Sequence, residues 1–186
     1  TNKQLYKSQI QKLFEIKRAS TSQQSVQVIV LAGKMLCSKG LPSSFKAKVT
    51  HLLIQSLIIT GKHHLALKVC DRSIKNISPE INLEDWLRFQ CTLCDLDIFF
   101  GRNKCAGARL KKIKKIISAQ NSKHFYPLVL QLKGEYYQSF KDYSQAQSNF
   151  QASLEQYRML RQFSKVQELT KKIEQIQREK IKSISL

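Results

Sequence analysis

The chain reads as an all-α protein built of antiparallel helix hairpins, and three observations lead there. Ala66, Ala106 and Ala146 recur at forty-residue intervals in Lys-rich, apolar-striped segments. Gly61, Gly101 and Lys141 precede them by five residues. Cys70, Leu110 and Phe150 follow by four, the spacing that stacks two side chains on one helix face. Prolines and glycines are few, three and six in 186 residues, and Gly40, Pro42, Gly61, Pro79 and Gly101 fall between apolar runs of helical period. No segment shows the polar–apolar alternation of a strand. A fixed period of about 40 residues marks an array in which each unit is a pair of helices stacked on the next. At this length folding buries roughly two-thirds of the unfolded chain's surface.

Nine helices are expected in order, over about 3–18, 23–38, 44–60, 63–76, 83–100, 104–118, 127–140, 143–160 and 163–183. Tyr6, Ile10, Leu13 and Phe14 supply the apolar face of the first. Gly40-Leu41-Pro42-Ser43-Ser44 ends the second and offers a serine cap to the third. Gly61 and Gly101 mark tight turns, and Ser78-Pro79 opens a linker to Asn82, an N-cap with Asp85 three residues on. Ala106, Leu110, Ile113 and Ile117 share one face of the sixth helix. Pro127 suits the first turn of the seventh, where a missing N–H costs nothing. Short connections make neighbours antiparallel. The hairpins therefore span about 3–38, 44–76, 83–118 and 127–160 of a single helical domain, residues 1–186. The last helix carries Met159, Phe163, Val166, Leu169, Ile173 and Ile176 as a narrow stripe, read as a cap; a coiled-coil segment for a partner is the alternative.

Charge bounds the partners. Thirty-two Lys and Arg against thirteen Asp and Glu give +19, unevenly placed. No acid occurs from Ile16 to Cys70 or from Ile98 to Gly134. Such a field attracts nucleic acid, an anionic membrane or an acidic protein, or is balanced by other parts of a larger protein. The longest apolar stretch, Val28 to Ala32, is far too short to cross a bilayer. Opening at Thr1 on a polar segment, the chain reads as part of a larger protein with no targeting signal. Cys37, Cys70, Cys91, Cys94 and Cys105 are an odd set in apolar helices, which suits free buried thiols in a reducing compartment, hence an intracellular setting, cytoplasmic or nuclear.

The stretch from Leu130 to Leu154, LQLKGEYYQSFKDYSQAQSNFQASL, resembles the tetratricopeptide repeat. Leu130, Gly134, Tyr137, Tyr143, Ala146 and Phe150 fall where that motif places its large, glycine, tyrosine, tyrosine, alanine and phenylalanine residues. Small Gly134 and Ala146 let two helices approach, and the aromatic rings fill the space around that contact. Earlier units match in part: Leu53, Leu57, Gly61, Ala66 and Cys70 agree in character, with Ile54 in place of the contact glycine. Leu93, Gly101, Ala106 and Leu110 also fit, while Asp97 stands in the place of Tyr137. The period is about 40 rather than the standard ~34. The resemblance implies a right-handed superhelix of hairpins that binds partners on its concave surface. Divergent helical repeats of this kind look like those of large cell-division regulators, among them the cohesin loader, subunits of the anaphase-promoting complex and, most of all, the helical region of separase. That likeness implies a regulatory scaffold in chromosome segregation, with any protease site outside these residues.

Cys91-Thr-Leu-Cys94 has the spacing of zinc and thioredoxin-type motifs, but zinc needs four ligands, and His63, His64 and His124 lie in other units. No serine, cysteine or carboxylate is spaced with a histidine as a nucleophile motif demands, and there is no phosphate-cradling glycine loop. No catalytic residue, cofactor or metal ligand is assigned. The densest basic patch is Lys104 with Arg109, Lys111, Lys112, Lys114 and Lys115. It is either a solvated face or a site for an acidic protein segment or a nucleic-acid backbone, and the absence of interleaved aromatics argues against base stacking. Trp86 sits in an acidic segment as core filler or partner anchor. The expected function is a non-catalytic interaction scaffold in a larger assembly, gripping an acidic or helical segment; the alternative is an electrostatic nucleic-acid or chromatin binder. Ala146→Leu is expected to overpack the hairpin contact and cost about 1–3 kcal/mol, and an unchanged melting temperature would contradict the register.

Overall fold

The computed structural model describes residues 4, 7–8, 10–11, 22–38 and 41–184. Among them there is no strand. Eight α-helices follow one another: α1 (Ser22–Cys37), α2 (Ser43–Ile59), α3 (His63–Ile74), α4 (Leu83–Phe99), α5 (Asn103–Gln120), α6 (Tyr126–Ser139), α7 (Tyr143–Met159) and α8 (Phe163–Ile184), with a short 3-10 turn at Lys123–Phe125. Residues 4, 7–8 and 10–11 are also helical. Tyr6, Leu13 and Phe14 of the expected first helix, and Gly40, lie outside the described residues.

One turn design closes the first helix of three hairpins. At the end of α2, Gly61 has φ 74°. Its N–H donates to Ile58 O at 3.0 Å, and the Lys62 N–H donates to Leu57 O at 2.8 Å. This paired arrangement satisfies carbonyls that a helix end leaves without partners. Gly101 (φ 67°) repeats it after α4, and the Arg102 N–H donates to Asp97 O at 2.7 Å. Lys141 (φ 61°) repeats it after α6, with Asp142 N–H to Tyr137 O at 3.1 Å. The glycine is thus dispensable at the third turn, at the cost of placing a side chain in the left-handed region. Arg161 (φ 54°) makes the same turn between α7 and α8.

The second helices start alike as well. The N–H groups of Ala66, Ala106 and Ala146 donate to the cap carbonyls of Lys62, Arg102 and Asp142 at 3.0, 3.0 and 2.9 Å. From Gly61 the next ten residues follow the same order of exposed, half-buried and buried positions as the ten from Gly101, and the ten from Lys141 differ only at Asn149. All three alanines are wholly buried. The forty-residue spacing therefore specifies a local conformation as well as a composition. Asn82 caps α4 as expected: its Oδ1 accepts from the Asp85 N–H at 3.1 Å and its Nδ2 donates to Asp85 Oδ2 at 2.7 Å. At α2 the cap position belongs to Pro42 rather than a serine, and the N–H groups of Phe45 and Lys46 donate to its carbonyl.

The chain divides into two compact units, residues 1–89 and 90–186, with the division inside α4. In the first, α2 packs on α1 and α3. Ile10, Val28, Ala32, Met35, Val49 and Leu52 form its core, with Phe45 packed against them. The thiol of Cys70 on α3 points at the Phe89 carbonyl, 3.5 Å away. Trp86 is buried, as a core residue would be.

In the second unit α7 is central, packed against α6 and α8, and α6 also touches α5. Gly134 is indispensable at the α6–α7 contact, because a Cβ built there would lie 2.7 Å from the Phe150 ring. Phe150, Ala146, Leu154, Tyr157, Leu169 and Ile176 form the core, bordered by Tyr137, Tyr143, Val166 and Ile173. Gly107 on α5 faces α6, where a Cβ would lie 2.9 Å from the Tyr136 hydroxyl. The stripe of α8 is shorter than its sequence suggests. Val166, Leu169, Ile173 and Ile176 pack on α7, whereas Met159 and Phe163 are 74% and 71% exposed at the turn.

Candidate partner-binding surfaces

The lysines of the expected basic patch sit as the 3.6-residue period dictates. Ala106, Leu110, Ile113 and Ile117 bury one side of α5, leaving Lys104, Lys111, Lys112, Lys114 and Lys115 exposed. Arg109 leaves the patch and turns to α4. Its Nε meets Asp97 Oδ2 at 3.0 Å and its Nη1 donates to Gln90 Oε1 at 2.8 Å. Arg102 pairs with the other oxygen of Asp97. Asp97, the residue standing where a tyrosine stands one period later, is thus a wholly buried carboxylate clasped by two arginines. In the sequence it stood out as a departure from the motif with no sign of its partners, Arg102 five residues on and Arg109 twelve residues on in another helix.

A different surface arises on the first helices of the hairpins, which sequence reasoning passed over. In the first unit a cleft of about 520 Å³ opens between the helical segment bearing Lys7, Ile10 and Gln11, helix α2 with Phe45, Lys48, His51 and Leu52, and Arg88 of α4. Among the described residues no carboxylate lines it. Lys48 and Arg88 are one forty-residue period apart, so equivalent positions of successive first helices face the same hollow. Among the described residues neither Lys7 nor Lys48 forms an ion pair, while Arg88 pairs with Glu84 one turn before it. A smaller hollow of about 340 Å³ continues past Lys48 and Arg88 to Asn82, Glu84 and Asp85. Both acids there are committed, Glu84 to Arg88 and Asp85 to the α4 cap.

The second unit carries a hollow of opposite character. It measures about 380 Å³ and is lined by Asp95, Ile98 and Phe99 of α4, Glu135, Gln138 and Ser139 of α6, and Lys172 of α8. Asp95 and Glu135 are again one period apart. Lys172 pairs with Glu135 and lies 3.6 Å from Glu168. Burial works against its charge, yet Glu135 first and then Glu168 hold its ammonium above the usual lysine range. Burial likewise works against charge on Glu168, but Lys165 and then Lys172 bring its carboxyl below the usual range. This network ties α8 to α6, which makes it a structural clasp.

The cysteines divide by burial. Cys70, Cys91 and Cys94 are buried, but Cys37 and Cys105 are exposed, against the expectation that all five lie inside. Burial, with Asp95 nearby, pushes the Cys91 thiol up to about 12, and burial followed by Cys91 itself pushes Cys94 higher still. The Cys94 thiol points at the Ala106 carbonyl, 3.7 Å away, so it packs the contact of α4 with α5. Among the described residues no three histidines, cysteines or carboxylates gather as metal ligands would. A thiol-reactive dye at neutral pH should therefore label two cysteines in the folded chain and five after denaturation. Rapid labelling of Cys91 or Cys94 in the native state would contradict this placement.

No described helix is long and apolar enough to cross a membrane. No protein-family model matches the chain, and neither a curated protein nor a solved structure matches it significantly.

Proposed function

We propose that the chain is a non-catalytic protein-interaction scaffold of tetratricopeptide-like type, its hairpins stacked as a superhelix within a larger assembly, that takes an acidic or helical segment of a partner protein. The observation that carries this reading is the recurrence of one turn, one cap geometry and one exposure pattern at Gly61, Gly101 and Lys141. Arrays of like hairpins present long surfaces to partners. The polar outer side of α8, with Glu174 and Gln177 exposed one period after Gly134 and Tyr137, suits a capping helix. Within this reading the chain is an intracellular regulatory region, and the likeness of its last hairpin to separase-type repeats favours a cell-division protein. The test is capture of cross-linked partners by the full-length protein in cells, read by mass spectrometry. Cross-links from the first helices to acidic protein segments are expected, and cross-links confined to nucleic acid would contradict it.

The five exposed lysines of α5 favour a second reading, electrostatic binding of a nucleic-acid backbone. If all five contact phosphates of duplex DNA, the log–log salt slope should approach about −4.5. A slope near zero removes this alternative.

A further inference from the structure

We infer that the cleft between Lys7, Ile10 and Gln11, helix α2 and Arg88 is the docking site for an acidic partner segment with an apolar anchor, and that the lysine face of α5 is not. The inference rests on the interaction-scaffold reading and gives it a place and a chemistry. Three features of the cleft agree. Its floor is apolar, made by Ile10, Phe45 and Leu52, with Phe45 only half buried. Its rim is cationic, with Lys7 and Lys48 free of ion pairs among the described residues. Its size, about 520 Å³, falls in the range of about 300–1,000 Å³ typical of sites that enclose a ligand group.

Charge complementarity selects the occupant. An incoming carboxylate meets Lys7 and Lys48, with no acid among the described lining residues to repel it, while a large apolar side chain displaces water from Phe45 and Leu52. The α5 face offers charge alone: its apolar residues are turned inward, so it has nowhere to seat an anchor. A nucleic-acid backbone would use the charge of the cleft and leave its floor uncovered. The hollow on the second unit has one cation among its described lining residues, Lys172, and it is already paired with Glu135.

The test uses the intact chain and a fluorescein-labelled acidic peptide of about fifteen residues, with Leu and Phe one helical turn apart, followed by anisotropy. Lys7→Glu with Lys48→Glu should weaken binding about tenfold or more, because both reversals face the bound carboxylates. Phe45→Ser, on the half-buried floor, should weaken it as well; changing the peptide's Leu and Phe to Ser should do the same without touching the protein's fold. Lys111→Glu with Lys112→Glu should leave affinity within about twofold. Loss of binding in the α5 variant with retention in the cleft variant overturns the assignment of the site and leaves the scaffold reading standing. Failure of the unaltered chain to bind the peptide, with tight binding of random-sequence duplex DNA, overturns both. Circular dichroism of each variant separates lost binding from lost folding.

Discussion

Asp97→Ala is expected to destabilise the chain by about 2–3 kcal/mol, below the roughly 3–5 of a fully buried pair because Arg102 and Arg109 both reach water. Removing the carboxylate leaves the Arg109 guanidinium with Gln90 alone, facing a hollow that Asp97 filled. For a chain of this length the loss corresponds to a fall of roughly 4–12 °C in melting temperature. Asp97→Asn should cost less, since an amide oxygen can still accept from Arg109, and the difference between the variants measures the charge. Arg109→Met with Asp97→Leu should recover part of the loss, because no charge is then left stranded. A melting temperature unmoved by Asp97→Ala would mean that the two arginines do not hold this residue in solution.

Gly134→Ala is expected to destabilise despite alanine's helix propensity. The substitution gains about 1 kcal/mol in an ordinary helix interior. Here the new methyl would stand 2.7 Å from a ring that is wholly buried and cannot swing away. Overpacking of about 1–3 kcal/mol opposes the gain and outweighs it, and Gly134→Leu should cost about 3 kcal/mol or more. The sign can be reversed deliberately. In a Phe150→Leu background the collision is relieved, and Gly134→Ala should become neutral or stabilising, a coupling that a double-mutant cycle reads directly. A stabilising Gly134→Ala in the unaltered chain would show that α6 and α7 do not meet at this residue.

Much of the fold was legible because its signals are local. Gly61 and Gly101 supply left-handed turn conformations, Asn82 and Asp85 form a reciprocal cap, and the apolar period gives each helix face. Eight expected helices appear with ends shifted by only a few residues. Gly134 and Ala146 were legible as a close contact because each is small where two closely packed helices need room. What escaped is non-local. Arg109 looked like one more cation in a run, since nothing in its neighbourhood announces Asp97. Cys105 was expected inside, but it precedes the buried Ala106 by one residue, about 100° round the helix, and so faces outward. The cleft is built from segments one period apart, and only the spacing of Lys48 from Arg88 could have pointed to it. That signal uses the same forty-residue rule as the alanines, applied to charged residues.

The central claim is that this chain is an interaction scaffold whose partner lies on the first helices of its hairpins. Amide hydrogen exchange of the intact chain, with and without the acidic peptide, tests it most directly. Added protection is predicted in α2 and the start of α4, around Phe45, Lys48 and Arg88, with α5 unchanged. Protection confined to α5, over Lys111 to Lys115, would contradict the account.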